Sequence, residues 1–535
     1  MKRVLISISA IVTLGILIYS NSLHGGFCSD DYMIIVENLA IENIRNIAFL
    51  WQVFNTRFIA GLSFALNYQF GGFNVFGYHA VNIAVHILNA ILLYGLVHVI
   101  FKTPAMKNTF VRAHAHLIGF TAALIFLCHP IQTETVAFIS QRMSALATFF
   151  YLAAVIFYIE GRLNGRFWYL AGSFLMMSVG ILTKELVVTL PLILIICEVF
   201  LFEADGRSLG SRLKILLPFF LLVAVFFFVF AQNRMDSIWK LKAQAGQPFS
   251  WEYFLTEINV LRTYVRLAFF PVHLQHDYDY PIVARVFEWP TVFSILLLIA
   301  IAGFSVWQFR RQRLLSFSIA WFFMTVLVEV AHPCFVKGGV IYEHWLYLPM
   351  AGFSIFLSFA LFLILGNRLR FKIVLLFIVG ILSMLTYERN KAWQSELTLW
   401  QDNVLKAPRN PRAYLGLGVA YGHLGDHARE IVNYEKAISF DPEYPKAYNN
   451  LAVAYLKLGR WDKVAQYARN AIFFSPNYPE AYATLAAHNI VFKQYAEAKK
   501  NLQISVELYY QVGDFQKAQV TQRILDTISS YAGTP

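Results

Sequence analysis

Two adjacent carboxylates, Asp30 and Asp31, stand in the stretch Gly25-Gly26-Phe27-Cys28-Ser29-Asp30-Asp31-Tyr32, just beyond the first apolar run of the chain. Ionisable residues at a bilayer surface are costly to dehydrate and tend to be there for function; the plain alternative is a wet acidic loop. Further polar words border other apolar runs: His129-Pro130-Ile131-Gln132-Thr133-Glu134, Gln141-Arg142, Thr183-Lys184-Glu185, Arg266, His276-Asp277-Tyr278-Asp279 and Tyr342-Glu343-His344. Carboxylates can take the proton of an attacking hydroxyl, and cations can stabilise a departing phosphate. Transfer of a sugar from a membrane-anchored phosphate carrier needs both, at the boundary where the carrier's hydrocarbon tail meets water. Asp30 or Asp31 suits the base, and Arg142, Lys184 and Arg266 suit a phosphate clamp. His129, Glu134, Glu185, Asp277, Asp279, Glu343 and His344 are further candidates on the same face. Structural alternatives stay open: a Lys184–Glu185 ion pair at adjacent helix ends, and His129 or His344 as helix caps. No outward segment carries His-x-x-x-His or Cys-x-x-Cys, so a divalent metal is left undecided.

The elements that must position these residues are apolar. Charged residues make up 14% of the chain, against roughly 25% in soluble domains, so lipid must solvate much of it. Runs near 4–20, 79–101, 115–128, 143–159, 167–183, 186–202, 214–231, 290–309, 314–331, 347–365 and 371–387 read as about eleven membrane-crossing helices. The first, preceded by Lys2-Arg3 and followed by no Ala-x-Ala site, reads as an uncleaved span. The net charge of +12 lies in short connectors, which argues against nucleic acid and for the positive-inside rule. Those connectors are Lys102/Lys107/Arg112, Arg162/Arg166, Arg207/Arg212/Lys214, Arg310/Arg311/Arg313 and Arg368/Arg370/Lys372, and they join alternate spans. Together with Lys2/Arg3 they define one cytoplasmic face, which puts the C-terminal domain on the other side. Residues 260–271 and 58–71 read as helices lying on the membrane surface. The four cysteines, Cys28, Cys128, Cys197 and Cys334, read as packing residues, with a Cys28–Cys334 pairing as the alternative.

Beyond the last span the sequence repeats with a period of 34 residues: Pro411-Arg412-Ala413-Tyr414, Pro445-Lys446-Ala447-Tyr448 and Pro479-Glu480-Ala481-Tyr482. Within the first unit, Leu417-Gly418, Ala420-Tyr421, Leu424-Gly425, Tyr434, Ala437 and Asp441-Pro442 occupy tetratricopeptide positions, where small residues let paired helices approach. The third unit carries His488-Asn489 where the others carry Ala-Tyr, as suits a capping end. The expected fold is all-α: a membrane domain over 1–390, then a tetratricopeptide-repeat solenoid over 391–535 with units near 411–444, 445–478 and 479–512.

In order along the chain, these words resemble the transmembrane-and-tetratricopeptide-repeat O-mannosyltransferases and their bacterial relatives, which have the GT-C fold. The matching words are Asp30-Asp31, Arg57-Phe58, Tyr78-His79-x-Val81-Asn82-x-x-x-His86-x-x-Asn89 and His129-Pro130-Ile131-Gln132-Thr133-Glu134. They continue with Lys184-Glu185, Tyr264-x-Arg266-Leu267 and Glu343-His344-x-Leu346-Tyr347-Leu348-Pro349. The resemblance implies an inverting glycosyltransferase that uses a polyprenyl- or dolichyl-phosphate sugar, with the acidic pair as catalytic motif. Phe58-Ile59-Ala60 stands where relatives often have Arg-Pro-Leu, and Trp345 where many have Arg, which removes one cation from the outward face. The expectation is a multi-pass enzyme of a bacterial inner membrane, working on the periplasmic face, with the repeats holding a protein acceptor. Its partners would be the lipid-linked sugar donor, that acceptor and membrane lipid. The absence of any Asn-x-Ser/Thr sequon favours a bacterium over a secretory lumen. A transferase building envelope polysaccharide or lipid, and a non-catalytic scaffold displaying the repeats, are the alternatives.

Overall fold

The structure is a computed structural model. It describes residues 2–107, 109–203, 208–231, 249–335, 339–366 and 369–531; Arg207, Arg368 and residues 232–248 lie outside them. Every regular element among these is helical.

All eleven apolar runs form helix. Among the described residues, eight helices are long and apolar enough to cross a membrane: Lys2–Ser22, Val75–Ile100, Phe110–Cys128, Ile139–Asn164, Leu209–Val229, Trp289–Gln308, Arg313–Phe335 and Leu369–Gln394. Phe167–Gly180, Leu190–Phe200 and Pro349–Leu365 are shorter than the expected spans. Thr183 and Lys184 explain two of these ends: the Lys184 backbone is extended, and it parts the Phe167 helix from the short turn that leads into Leu190. Residues 251–269 form the amphipathic helix Trp251–Phe269, capped by the Ser250 hydroxyl on the N–H of Tyr253. Phe58–Gly71 is also helical.

The Val75 helix lies at the centre of the membrane unit, packed against the Lys2, Ala115 and Arg142 helices. His79, Asn82, His86 and Asn89 fall on one of its faces by their three- and four-residue spacing, and all four are fully buried. Buried polar groups usually find partners, and each of the four makes at least one such bond, while His79 Nδ1 and Asn89 Oδ1 have none among the described residues. His79 bonds the carbonyl of Gly25 at 2.9 Å, and Asn82 donates to the carbonyls of Val136 and Ile139. His86 donates from Nε2 to the Leu127 carbonyl and accepts at Nδ1 from the Tyr347 hydroxyl, 2.7 Å away. Asn89 reaches the Ala145 carbonyl and the same Tyr347 hydroxyl. One helix face thus fixes the loop after the first span, the 129–141 turn and the turn that carries Tyr347.

The chain divides into two compact units; among the described residues the second consists of 277–279 and 396–531. In it, helix pairs Pro411–His423/His427–Phe440, Pro445–Lys457/Trp461–Phe474 and Pro479–Val491/Tyr495–Val512 stack in order. The tetratricopeptide glycine has a direct steric cause, since a Cβ on Gly418 would meet the Tyr434 ring at 2.4 Å. Each unit opens with the same lock. The hydroxyls of Tyr414, Tyr448 and Tyr482 donate to the carbonyls of Pro408, Pro442 and Pro476, six residues earlier in each case. A final helix, Phe515–Tyr531, was not expected; its Leu525 and Ile528 close the core formed by Ala486, Ala498 and Leu502. The four cysteines are buried and form no disulfide among the described residues.

Candidate active site

The loop after the first span returns to the end of the last span: Gly26 N–H donates to the Gln394 carbonyl at 3.0 Å. Gly25 is required there, because a Cβ would lie 2.9 Å from the Trp393 carbonyl oxygen. The two carboxylates that follow differ sharply. Asp31 is 1% exposed. Its Oδ1 accepts the N–H of Ser140 at 2.7 Å and its Oδ2 the N–H of Cys28 at 3.1 Å, so it ties the loop to the turn before the Arg142 helix. Burial outweighs these two bonds and pushes the carboxyl up to about 7. Asp30 is exposed and lies within electrostatic reach of Arg57.

Arg57, within electrostatic reach of Asp30, is a cation that sequence spacing did not single out as a site residue. Its Nε and NH2 donate to the two oxygens of Glu185, at 3.3 and 3.1 Å, and the Thr56 hydroxyl donates to the same carboxylate. Both partners remain partly open, their side chains 35% and 30% exposed. Lys184 does not pair with Glu185. Its ammonium meets Glu329 at 2.8 Å and the Ser144 hydroxyl at 3.2 Å. His332 lies within electrostatic reach of Glu329, Glu185, Arg57 and Lys184, so the two ion pairs form one cluster. Glu329 and His332 carried a signal in sequence, as ionisable residues near the end of an otherwise apolar helix.

Arg142 departs from its expected place in a phosphate clamp. It is 0% exposed. Nε donates to Asn82 Oδ1 at 2.7 Å, NH1 to the Ser63 carbonyl and NH2 to the Tyr78 carbonyl, while the Phe64 ring covers the guanidinium at 4.7 Å. An arginine bonded on all three nitrogens and stacked on an aromatic face has no edge left for a ligand. Arg266 is the reverse: exposed, with no side-chain ion pair or hydrogen bond among the described residues. The three cations therefore share no partner.

Of the remaining candidates, Glu134, Glu343 and His129 are buried. Glu134, 0% exposed, accepts the backbone N–H of His344 at 2.8 Å and lies 3.2 Å from Nδ1 of both His276 and His344. Burial alone would raise its pKa; the His344 and His276 rings outweigh it and hold the carboxyl well below the usual carboxylate range. Glu343 accepts the N–H of Gln275 at 2.5 Å and lies 3.8 Å from Arg389. His129 is a cap, as one alternative held: Nδ1 accepts from the N–H of Ile131, Nε2 donates to the Ala268 carbonyl, and burial pushes the ring down to about 4. Asp277 belongs to the repeat unit, paired with Arg412 at 2.7 Å and bonded through its backbone to Asn403, while Asp279 is exposed. Glu257, on the buried face of the Trp251 helix, was missed. Neither of its oxygens has a hydrogen-bond partner among the described residues, and burial pushes it up to about 9.

Tetratricopeptide-repeat family models match residues 411–444 and 431–459. The chain is 27% identical over 454 residues to protein O-mannosyl-transferase F38B6.6 of Caenorhabditis elegans, covering 81% of this chain and 62% of that one. It is 25% identical to protein O-mannosyl-transferase TMTC4 of Mus musculus, covering 78% and 64%. Over a shorter stretch it is 31% identical to protein O-mannosyl-transferase TMTC2 of Mus musculus, covering 36% and 23%. The chain spans less than two thirds of the length of these relatives. Among solved structures, the Sgt2 TPR domain from Aspergillus fumigatus aligns at 23% identity with a TM-score of 0.20, covering 23% of this chain and 85% of that one. The homologues of this chain are protein O-mannosyl-transferases, and its C-terminal region carries tetratricopeptide repeats.

Proposed function

We propose, starting from homologues that are protein O-mannosyl-transferases, that this chain is a membrane glycosyltransferase of the GT-C type. It moves mannose or another hexose from a polyprenyl-phosphate carrier to a hydroxyl of a protein acceptor, on the periplasmic face of a bacterial inner membrane. The observation that carries the proposal is Asp30, an exposed carboxylate on a loop whose flanks are bonded to the fold, within electrostatic reach of Arg57, which pairs with Glu185 beside Lys184 and Glu329.

In this mechanism the acceptor oxygen attacks the anomeric carbon from the side opposite the phosphate, and Asp30 takes its proton. The bond from the anomeric carbon to the phosphate oxygen breaks, its electron pair leaves with the lipid phosphate, and the configuration inverts. Lys184 and Arg57 stabilise the charge that grows on that phosphate, and Arg266 meets the carrier's head group at the lipid boundary. Asp31 holds the loop. Arg142 holds the fold and touches no substrate. The repeats present a concave surface of stacked helices that holds an extended stretch of the acceptor.

Mass spectrometry of envelope proteins from cells with and without the gene tests the activity. Loss of hexose from serine or threonine, restored by the wild-type gene and not by the Asp30→Asn variant, is the expected result. Hexose patterns unchanged by deletion would remove the proposal.

A further inference from the structure

We propose that Glu134, His276 and Ser29 form a positioning chain that sets the orientation of Asp30. The inference rests on Asp30 being the base.

Ser29 has φ of +50°. A residue with a side chain holds a left-handed backbone only where its surroundings impose it, and such residues gather at functional sites. The imposing group is His276, whose Nε2 lies 3.4 Å from the Ser29 hydroxyl and whose Nδ1 lies 3.2 Å from Glu134 Oε1. The imidazole cannot turn freely. It stands edge-on to Phe138 at 5.5 Å and to Trp393 at 5.3 Å, and those two rings stack on each other at 5.3 Å. Glu134 is itself fixed by the backbone N–H of His344. A carboxylate anchored in the fold thus orients an imidazole, with Nδ1–H donated to Glu134 and Nε2 accepting the Ser29 O–H. The residue so held is the immediate predecessor of Asp30.

On the other flank, Asp31 is anchored by the N–H groups of Ser140 and Cys28. Asp30 is therefore constrained from both neighbours while its own side chain faces solvent. His276 makes no contact with the acceptor or the donor in this scheme; it acts through Ser29 and is a positioning residue. The proton taken by Asp30 passes to water, so no proton moves along the chain.

The test uses membranes containing the full chain, labelled polyprenyl-phosphate mannose as donor probe, and a serine- and threonine-containing peptide as acceptor. An asparagine amide at position 276 can replace Nδ1 but not Nε2, whereas a glutamine amide reaches the Nε2 position. His276→Asn should lower kcat roughly 10- to 100-fold with donor KM nearly unchanged, because a misplaced group costs rate rather than binding. His276→Gln should keep kcat within about 3-fold. Ser29→Gly adopts the left-handed backbone at no steric cost, so the His276→Asn loss should shrink to about 3-fold or less when both changes are combined. Equal losses for Asn and Gln in protein that elutes as a single folded species, or a loss undiminished by Ser29→Gly, would overturn the chain. Should His276→Asn fail to fold, Ser29→Ala against Ser29→Gly decides alone. Lower turnover for alanine supports the chain, and equal or higher turnover removes it. Asp30→Asn is assayed beside them: near wild-type turnover there discards the base assignment, whatever the outcome at position 276.

Discussion

Asp30 and Asp31 are the same residue type one position apart, and the fold gives them different work. Asp30 is exposed, so Asp30→Asn should remove at least about two orders of magnitude from turnover while leaving the amount of folded protein intact. Asp31 is sealed in, and its substitution should read out as stability. Its carboxyl titrates at about 7 in the fold against 3.8 in the open chain, so between those values the folded state holds a proton that the unfolded state has lost. Stability from this group is then fully present below the lower value, falls as pH rises through the window and levels off above it. Asp31→Asn cannot titrate. The difference in melting temperature between the wild type and this variant should narrow from pH 4 to pH 7 and then stay constant. A parallel pair of curves would remove the assignment. The sequence marked the acidic pair by its place after the first span, but not which member faces water. That depends on the N–H of Ser140, more than a hundred residues away. The same blindness applied to Arg142 and Lys184: charge and position suggested a ligand, and only the partners tell a structural arginine from a partly open cluster.

Among the elements, the short link Thr183-Lys184-Glu185 joins two ion pairs made to different parts of the chain. The Lys184–Glu329 pair is largely buried, with side chains 9% and 12% exposed. Removing one member leaves the other charge without compensation, which costs roughly 3–5 kcal/mol. Lys184→Ala should therefore lower the melting temperature, and adding Glu329→Ala should recover much of it. Donor KM should stay raised in both variants if Lys184 also meets the phosphate. A double variant with wild-type donor KM would confine Lys184 to a structural part. Helices themselves were legible, because apolar length and the 34-residue period are local signals. The terminal helix Phe515–Tyr531 was not, since it lies past the last recognisable unit and is defined by the core it closes. The Val75 helix was read as a span with a conspicuous word in it. That His79, Asn82, His86 and Asn89 are all seam residues follows only from where Gly25, Leu127, Val136, Ala145 and Tyr347 come to lie.

For the whole molecule, the alternation of basic connectors predicts the direction of the spans. A reporter active only in the cytoplasm, fused after residue 535, should be silent, and a periplasm-active one should signal; the reverse would invert the topology and move the proposed site to the cytoplasmic side. The polar seam also bears on how the chain enters the membrane. A helix with two histidines and two asparagines along one face partitions poorly into lipid by itself, since each polar group carries its own penalty there. The hydroxyl that bonds both His86 and Asn89 belongs to Tyr347, which leaves the ribosome about 260 residues after them. For most of synthesis this helix has no complete set of partners, so the insertion machinery, or the Lys2 and Ala115 helices beside it, must shelter it until the last outward turn emerges. Ribosome-bound chains halted before Tyr347 should leave the Val75 helix crosslinkable to that machinery, and chains released after it should not.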